Sequence, residues 1–310
     1  MLRVAAWRLA QFPLIMAVLY LITFVFVWVA PGDPFQRGEK QIDPIALEAL
    51  RERFHADRWY EFLTYYPWQI LRHGDFGPSL QYREWSVNDI LKSALPISVT
   101  LGLFALTIAL VLGVLVGTTA AVHRGGLSDT FSLAVVLIGI SLPSFISAAI
   151  LLAVFGGKLK WFPIGGWGSF SQMVLPGLAL SLAPMAYIAR LTRVSMIDVL
   201  SSDYVRTARA KGLSRSMVIW KHCLRNAFLP VLSYLGPAAA TTLTGSFVVE
   251  KVFSIPGLGQ HFVNSIQNRD RTLILGTVMV FALFLLTFNL LVDLSYSLID
   301  PRVDLQAKGT

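Results

Sequence analysis

The chain has 310 residues, 55% of them hydrophobic and only 14% charged, with a mean hydropathy of +0.62. A soluble domain carries about 25% charged residues, so this chain lacks the polar surface of a soluble enzyme and is too apolar to stay disordered. The formal charge is +8, but where that charge sits matters more than its sum. The lone cysteine, Cys223, excludes a disulfide framework and a cysteine-based zinc site, and the five histidines (His55, His73, His123, His222, His261) show no metal-ligand spacing.

A bilayer core about 30 Å thick needs roughly 20 apolar residues per spanning helix. Six windows qualify: 9–30, 97–122, 131–155, 173–189, 227–249 and 273–292. None contains Asp, Glu, Lys or Arg, each of which would cost at least about 2.5–3.5 kcal/mol at a helix centre. The expectation is an all-α polytopic membrane protein with six spans. Arg3 and Arg8 precede the first window as in a signal peptide, but its 22 apolar residues end without a small-x-small cleavage site, so residues 1–30 are expected to be a tail and an uncleaved first helix.

Residues 31–95 then form a long extracytoplasmic loop with eight basic and ten acidic side chains. Ile45, Leu47, Leu50 and Phe54 share one face of a candidate helix over 44–54. The aromatic cluster Trp59, Tyr60, Phe62, Tyr65, Tyr66, Pro67 and Trp68 fits an interfacial belt better than a dedicated ligand surface.

Residues 96–300 are expected to be a five-span core, with Pro143 and Pro184 kinking the third and fourth spans. The loop 190–226 holds eight basic and two acidic residues, a net of +6. The positive-inside rule therefore puts this loop, the Arg124 turn, both termini and the tail 301–310 in the cytoplasm. Lys158, Lys160, Lys251, Arg269 and Arg271 then fall outside, a smaller dissent. Asp293 is expected to pair with Arg302 at the inner face, and Glu250 to lie at the outer interface.

Within the loop, Ser202 can cap a helix over 203–211, Gly212 can end it in the left-handed conformation, and Ser214 can cap a second helix reaching about Arg225. Tyr204, Ala208 and the Lys211–Gly212 end fall on one face by the i, i+4 rule. Small residues (Thr207, Ala208, Ala210) beside Arg206, Arg209 and Lys211 suit a pocket on a partner protein; an unpartnered basic loop and a DNA-reading helix–turn–helix are the alternatives.

No phosphate-binding G-x-x-x-x-G-K-[ST], no G-x-S-x-G and no H-E-x-x-H occurs. No catalytic residue, metal ligand or cofactor-binding residue can be named. The windows also lack the ionisable relays of ion-coupled carriers. What remains is a passive pore or a subunit driven by a partner.

The segment Arg206-Thr-Ala-Arg-Ala-Lys-Gly-Leu213, followed by Leu224-Arg-Asn-Ala-Phe-Leu-Pro230, resembles the coupling loop of ABC-importer permeases of the oligopeptide/dipeptide/nickel branch. Further matches are Pro31-Gly-Asp-Pro34, Gly74-Asp-Phe-Gly-Pro-Ser79, Leu142-Pro-Ser-Phe145, Phe253-Ser-Ile-Pro-Gly-Leu-Gly259, Asn289-Leu-Leu-Val-Asp293 and Asp300-Pro-Arg302. The opening Pro-Gly-Asp-Pro is similar to the first of the two permeases in such systems. Where the broader family has Glu-Ala-Ala this chain has Arg206-Thr-Ala208, so no salt bridge through that glutamate carries over.

The resemblance implies the type I importer fold in a bacterial inner membrane. It implies a second homologous permease, two cytoplasmic ATPases that bind the ATP and magnesium, and an extracytoplasmic substrate-binding protein. No nucleic acid is implied. Asp203, Tyr204, Arg206, Thr207, Ala208, Lys211, Gly212 and Leu213 would then couple to an ATPase, while Phe253, Pro256 and Gly257 would form a gate or meet the binding protein. The expected cargo is a peptide, with nickel chelates, glycosides or glutathione as alternatives. A passive channel and an ion-coupled carrier are the competing classes.

Overall fold

The computed structural model describes residues 2–30, 58–79, 82 and 85–299. The 44–54 helix, Pro31–Pro34 and Asp300–Arg302, with any pair made by Arg302, lie outside the described residues. The helices in chain order are α1 (Leu2–Val29), α2 (Trp59–His73), α3 (Val87–Val122), α4 (Leu127–Ser141), α5 (Ser144–Lys158), α6 (Phe170–Leu200), α7 (Asp203–Ala210), α8 (Arg215–Ala227), α9 (Leu229–Val252), α10 (Leu258–Asn268) and α11 (Arg271–Ile299). Helices suit a bilayer because every backbone group except those at the ends is paired within the segment. Among the described residues there is no strand, only an isolated antiparallel bridge between Pro78 and Ser86.

Four helical stretches are long and apolar enough to cross a membrane: Ala6–Val29, Val87–Val122, Phe170–Leu200 and Arg271–Leu294. The pairs α4–α5 and α8–α9 raise the number to six if each bent pair is one span, with bends of 107° and 56°. All six apolar windows thus fall in helices, but window 131–155 is not the single run that its composition suggests. Leu142 is extended, at φ −94° and ψ 120°, as steric clash with a following proline requires. Pro143 then caps α5, its carbonyl accepting from the amides of Ile146 (3.0 Å) and Ser147 (3.2 Å). Pro184, by contrast, lies buried inside α6, which continues through it.

The chain packs as two compact units. One takes the described residues of Ala6–Ser98 with Pro256–Leu286. Its centre is aromatic: Phe62 and Tyr66 of α2 stack at 5.2 Å, Phe24 of α1 lies 6.2 Å from Phe62, and Tyr20 lies 6.4 Å from Tyr66. The Tyr66 hydroxyl donates to the Thr272 carbonyl (2.9 Å). The sequence cluster 59–68 therefore divides. Phe62 and Tyr66 are core, while Trp59, Tyr60 and Trp68 face outward, as a belt would. Buried Asp270 caps α11 through the Leu273 amide (3.0 Å) and accepts from the Ser79 hydroxyl (2.5 Å), which ties the Gly74–Ser79 motif to that helix.

The other unit contains Val99–Ile255, with α11 from Thr287 onward. Its mast is α6, the most buried of the four long spans, against which α4, α5 and α9 pack. Glycines set the spacing. A Cβ at Gly113 of α3 would lie 2.8 Å from Ile188 Cγ2, and one at Gly117 would lie 2.7 Å from Thr192 Cβ and press on the Ala189 carbonyl. A Cβ at Gly139 of α4 would lie 2.9 Å from both Ala186 Cβ and the Leu182 carbonyl oxygen. In lipid, where apolar burial gives helices little reason to associate, such close backbone approach holds them together.

Gly117→Leu should therefore destabilise the protein by at least about 1–3 kcal/mol through overpacking, measured by detergent-titrated unfolding of the purified protein. Gly157→Ala, whose Cβ meets nothing nearer than 3.8 Å, should leave the midpoint unchanged or raise it.

Candidate functional site

The residues singled out between 202 and 214 fold into a hairpin between α6 and α9. Ser202 occupies the N-cap of α7 in extended geometry, but its hydroxyl donates backward to the Val199 carbonyl (2.6 Å) rather than capping forward. Asp203 remains in the first turn, where a carboxylate complements the helix dipole.

The far end of α7 follows expectation. Gly212 sits at φ +77°. The Leu213 amide reaches the Ala208 carbonyl (3.4 Å) and the Gly212 amide the Arg209 carbonyl (3.0 Å), the two bonds of a Schellman termination. The Ser214 hydroxyl then accepts from the Met217 amide (3.4 Å) and starts α8. Val218–Cys223 of α8 run in wider π-helical turns.

The packing of α7 differs from the one-face reading. Val205 and Ala208 point inward and are buried with Met196 of α6, Ala121 of α3, and Val218, Cys223 and Ala227 of α8. Ala208 is small because α7 lies against its own chain there. Tyr204 is half-turned outward, yet its hydroxyl accepts from Asn226 Nδ2 (2.8 Å) of α8. The surface that α7 leaves open carries Asp203, Arg206, Thr207, Arg209, Ala210 and Lys211. Asp203 and Arg206 form a fully solvated pair at 3.6 Å, which adds little stability and leaves both charges available. The inward spacing of Val205 and Ala208, matched by Val218, Cys223 and Ala227, was the sequence signal for this seating.

Phe253, the first residue of the other weak candidate, is buried, as is Ile255. Ser254 between them is left-handed, at φ +50°. The Phe253 carbonyl accepts from the Gly166 amide (3.0 Å) and the Glu250 carbonyl from the Ile255 amide (2.8 Å), so this stretch terminates α9 and anchors the 165–166 turn. Pro256 is exposed and Gly257 buried. Glu250, expected at an interface, is fully buried.

A charge pair outside the apolar windows joins α4 to α6. The apolar windows began after Asp129 and ended before Arg193, but both helices extend past those limits. Arg193 Nε donates to Asp129 Oδ1 (2.6 Å) and Nη2 to Oδ2 (2.8 Å), a bidentate fork. Asp129 Oδ2 also accepts from the Gly125 amide (2.9 Å). Asp129 is the only acidic residue between Asp89 and Asp198, which was the available signal. Among the described residues no group of acidic, histidine or cysteine side chains could hold a metal ion.

The comparisons agree with this architecture. Residues 109–305 match the family of binding-protein-dependent transport system inner membrane components. The chain is 44% identical over 305 residues to the dipeptide transport system permease protein DppB of Bacillus subtilis, covering 98% of this chain and 97% of that protein. It is 42% identical to the oligopeptide transport system permease protein OppB of Haemophilus influenzae (91% of this chain, 94% of that one) and 41% identical to OppB of Escherichia coli K12 (92% and 94%). In fold it is similar to a permease chain of the inward-facing MetNI methionine ABC transporter, with a TM-score of 0.54 at 18% identity over 68% of this chain and 96% of that one. Its spanning helices, its hairpin after α6 and these matches together make the chain a member of the family of inner-membrane permease components of binding-protein-dependent ABC importers.

Proposed function

We propose that the chain is a permease subunit of an ATP-driven peptide importer, forming half of the translocation pathway and carrying no catalysis of its own. The observation that carries this is the hairpin: a short helix with its apolar side seated inside its own chain and a solvated surface of Asp203, Arg206, Thr207 and Lys211 left over. A helix so braced passes a push to α6 and α3 rather than yielding to it. Near-full-length similarity to dipeptide and oligopeptide permeases supports a peptide cargo.

In this reading the hairpin lies in the cytoplasm, which the net charge of +6 over residues 190–226 favours. A cytoplasmic ATPase grips the open side of α7, and a homologous permease and an extracytoplasmic binding protein complete the complex. ATP and magnesium are held by the ATPases. ATP-driven closure of the ATPases moves α7, and the cavity between the permeases alternates its access. A passive channel would need no braced hairpin, and an ion-coupled carrier would need relay groups deep in the spans.

In proteoliposomes, uptake of a radiolabelled dipeptide by the assembled complex should require ATP, the ATPases and the binding protein. Uptake that persists without ATP would refute the proposal. Thr207→Trp, on the open side, should lower transport at least tenfold while hairpin cleavage by trypsin stays as in wild type. Ala208→Trp, on the seated side, should instead increase cleavage at Arg206, Arg209 and Lys211.

A further inference from the structure

Resting on that reading, we propose that Asp129 and Arg193 are a positioning pair that carries displacement of α7 into the broken span α4–α5. The bonds made by Asp129 join three elements. Arg193 belongs to α6, Gly125 to the turn that follows α3, and Asp129 itself to the first turn of α4. One carboxylate therefore ties the head of α4 both to the turn after α3 and to the last two turns of α6.

Those two ends are also what α7 rests on. Ala121, four residues before Gly125, and Met196, one turn beyond Arg193, pack in the cluster that holds Val205 and Ala208. A shift of α7 reaches both supports of Asp129 together. Beyond the pair, α4 lies against α6 at Gly139 and ends two residues later at Ser141, before the 107° break that leads into α5.

The chemistry fits a device for register rather than simple adhesion. Asp129 is 4% exposed and the Arg193 side chain 22%, and a part-buried ion pair regains little net stability from its charges. Apolar side chains would hold the helices as firmly. The fork adds a fixed direction: a planar guanidinium meets a carboxylate in one relative orientation, so α6 cannot turn or slide without moving α4.

The test uses the assembled importer in proteoliposomes and reads ATP hydrolysed per peptide transported. Asp129→Asn should keep binding-protein-stimulated hydrolysis within twofold of wild type while transport falls at least tenfold. The double variant Asp129→Asn/Arg193→Gln should be no worse than the worse single variant, as for two groups acting as one. If Asp129→Asn fails to assemble, Arg193→Lys, which keeps the charge and loses the fork, should raise the same ratio. Parallel loss of hydrolysis and transport in Arg193→Lys would show a structural brace and overturn the inference, as would a wild-type ratio in either assembled single variant. ATP-driven uptake by wild type with unchanged variants removes this inference alone; ATP-independent uptake by wild type removes the proposed function as well.

Discussion

Close backbone approach around α6 is the constraint on which the rest of this unit depends. Helices with apolar faces gain little from meeting one another in hydrocarbon, because lipid chains are equally apolar. What favours association is contact too close for lipid to enter, and Gly113, Gly117 and Gly139 provide it along two sides of one helix. With α3 and α4 fixed against α6, a movement at either end of α6 is transmitted rather than absorbed, since packed interiors deform little.

The hairpin extends the same logic beyond the membrane spans. Its first helix is only eight residues long, far below the length at which an isolated helix persists in water. It exists because Val205 and Ala208 are buried in a cluster shared with α3, α6 and α8, and because Gly212 and Ser214 close one helix and open the next. A surface braced this way is already ordered, so a partner that docked on it would have little ordering left to do. The fork between Asp129 and Arg193 lies one turn deeper along α6, at the head of the broken span.

Much of this was legible in the sequence. Charge-free windows located the four long apolar helices and the two bent pairs, since a central charge is too costly to leave in lipid. Gly212 and Ser214 announced the hairpin through turn and cap chemistry that needs only neighbouring residues. The features that escaped were those that depend on distant ones. Pro143 signalled a kink, but nothing local fixed its size of 107°. The direction faced by Ala208 is decided by Cys223 and Met196. Asp129 and Arg193, 64 residues apart, are each an ordinary end-of-helix charge until the fold joins them. The Ser202 hydroxyl shows the limit of local rules, because its helix start has a ready cap that bonds elsewhere.

The proposed function requires force to enter through the open side of α7. The most direct measurement places a photo-cross-linking side chain at Thr207 in the assembled complex and identifies the adduct, with and without nucleotide trapping. The expected product is an adduct with the nucleotide-hydrolysing subunit whose yield changes between the two states. An adduct pattern in which that subunit is captured from other sites but never from Thr207 would contradict it.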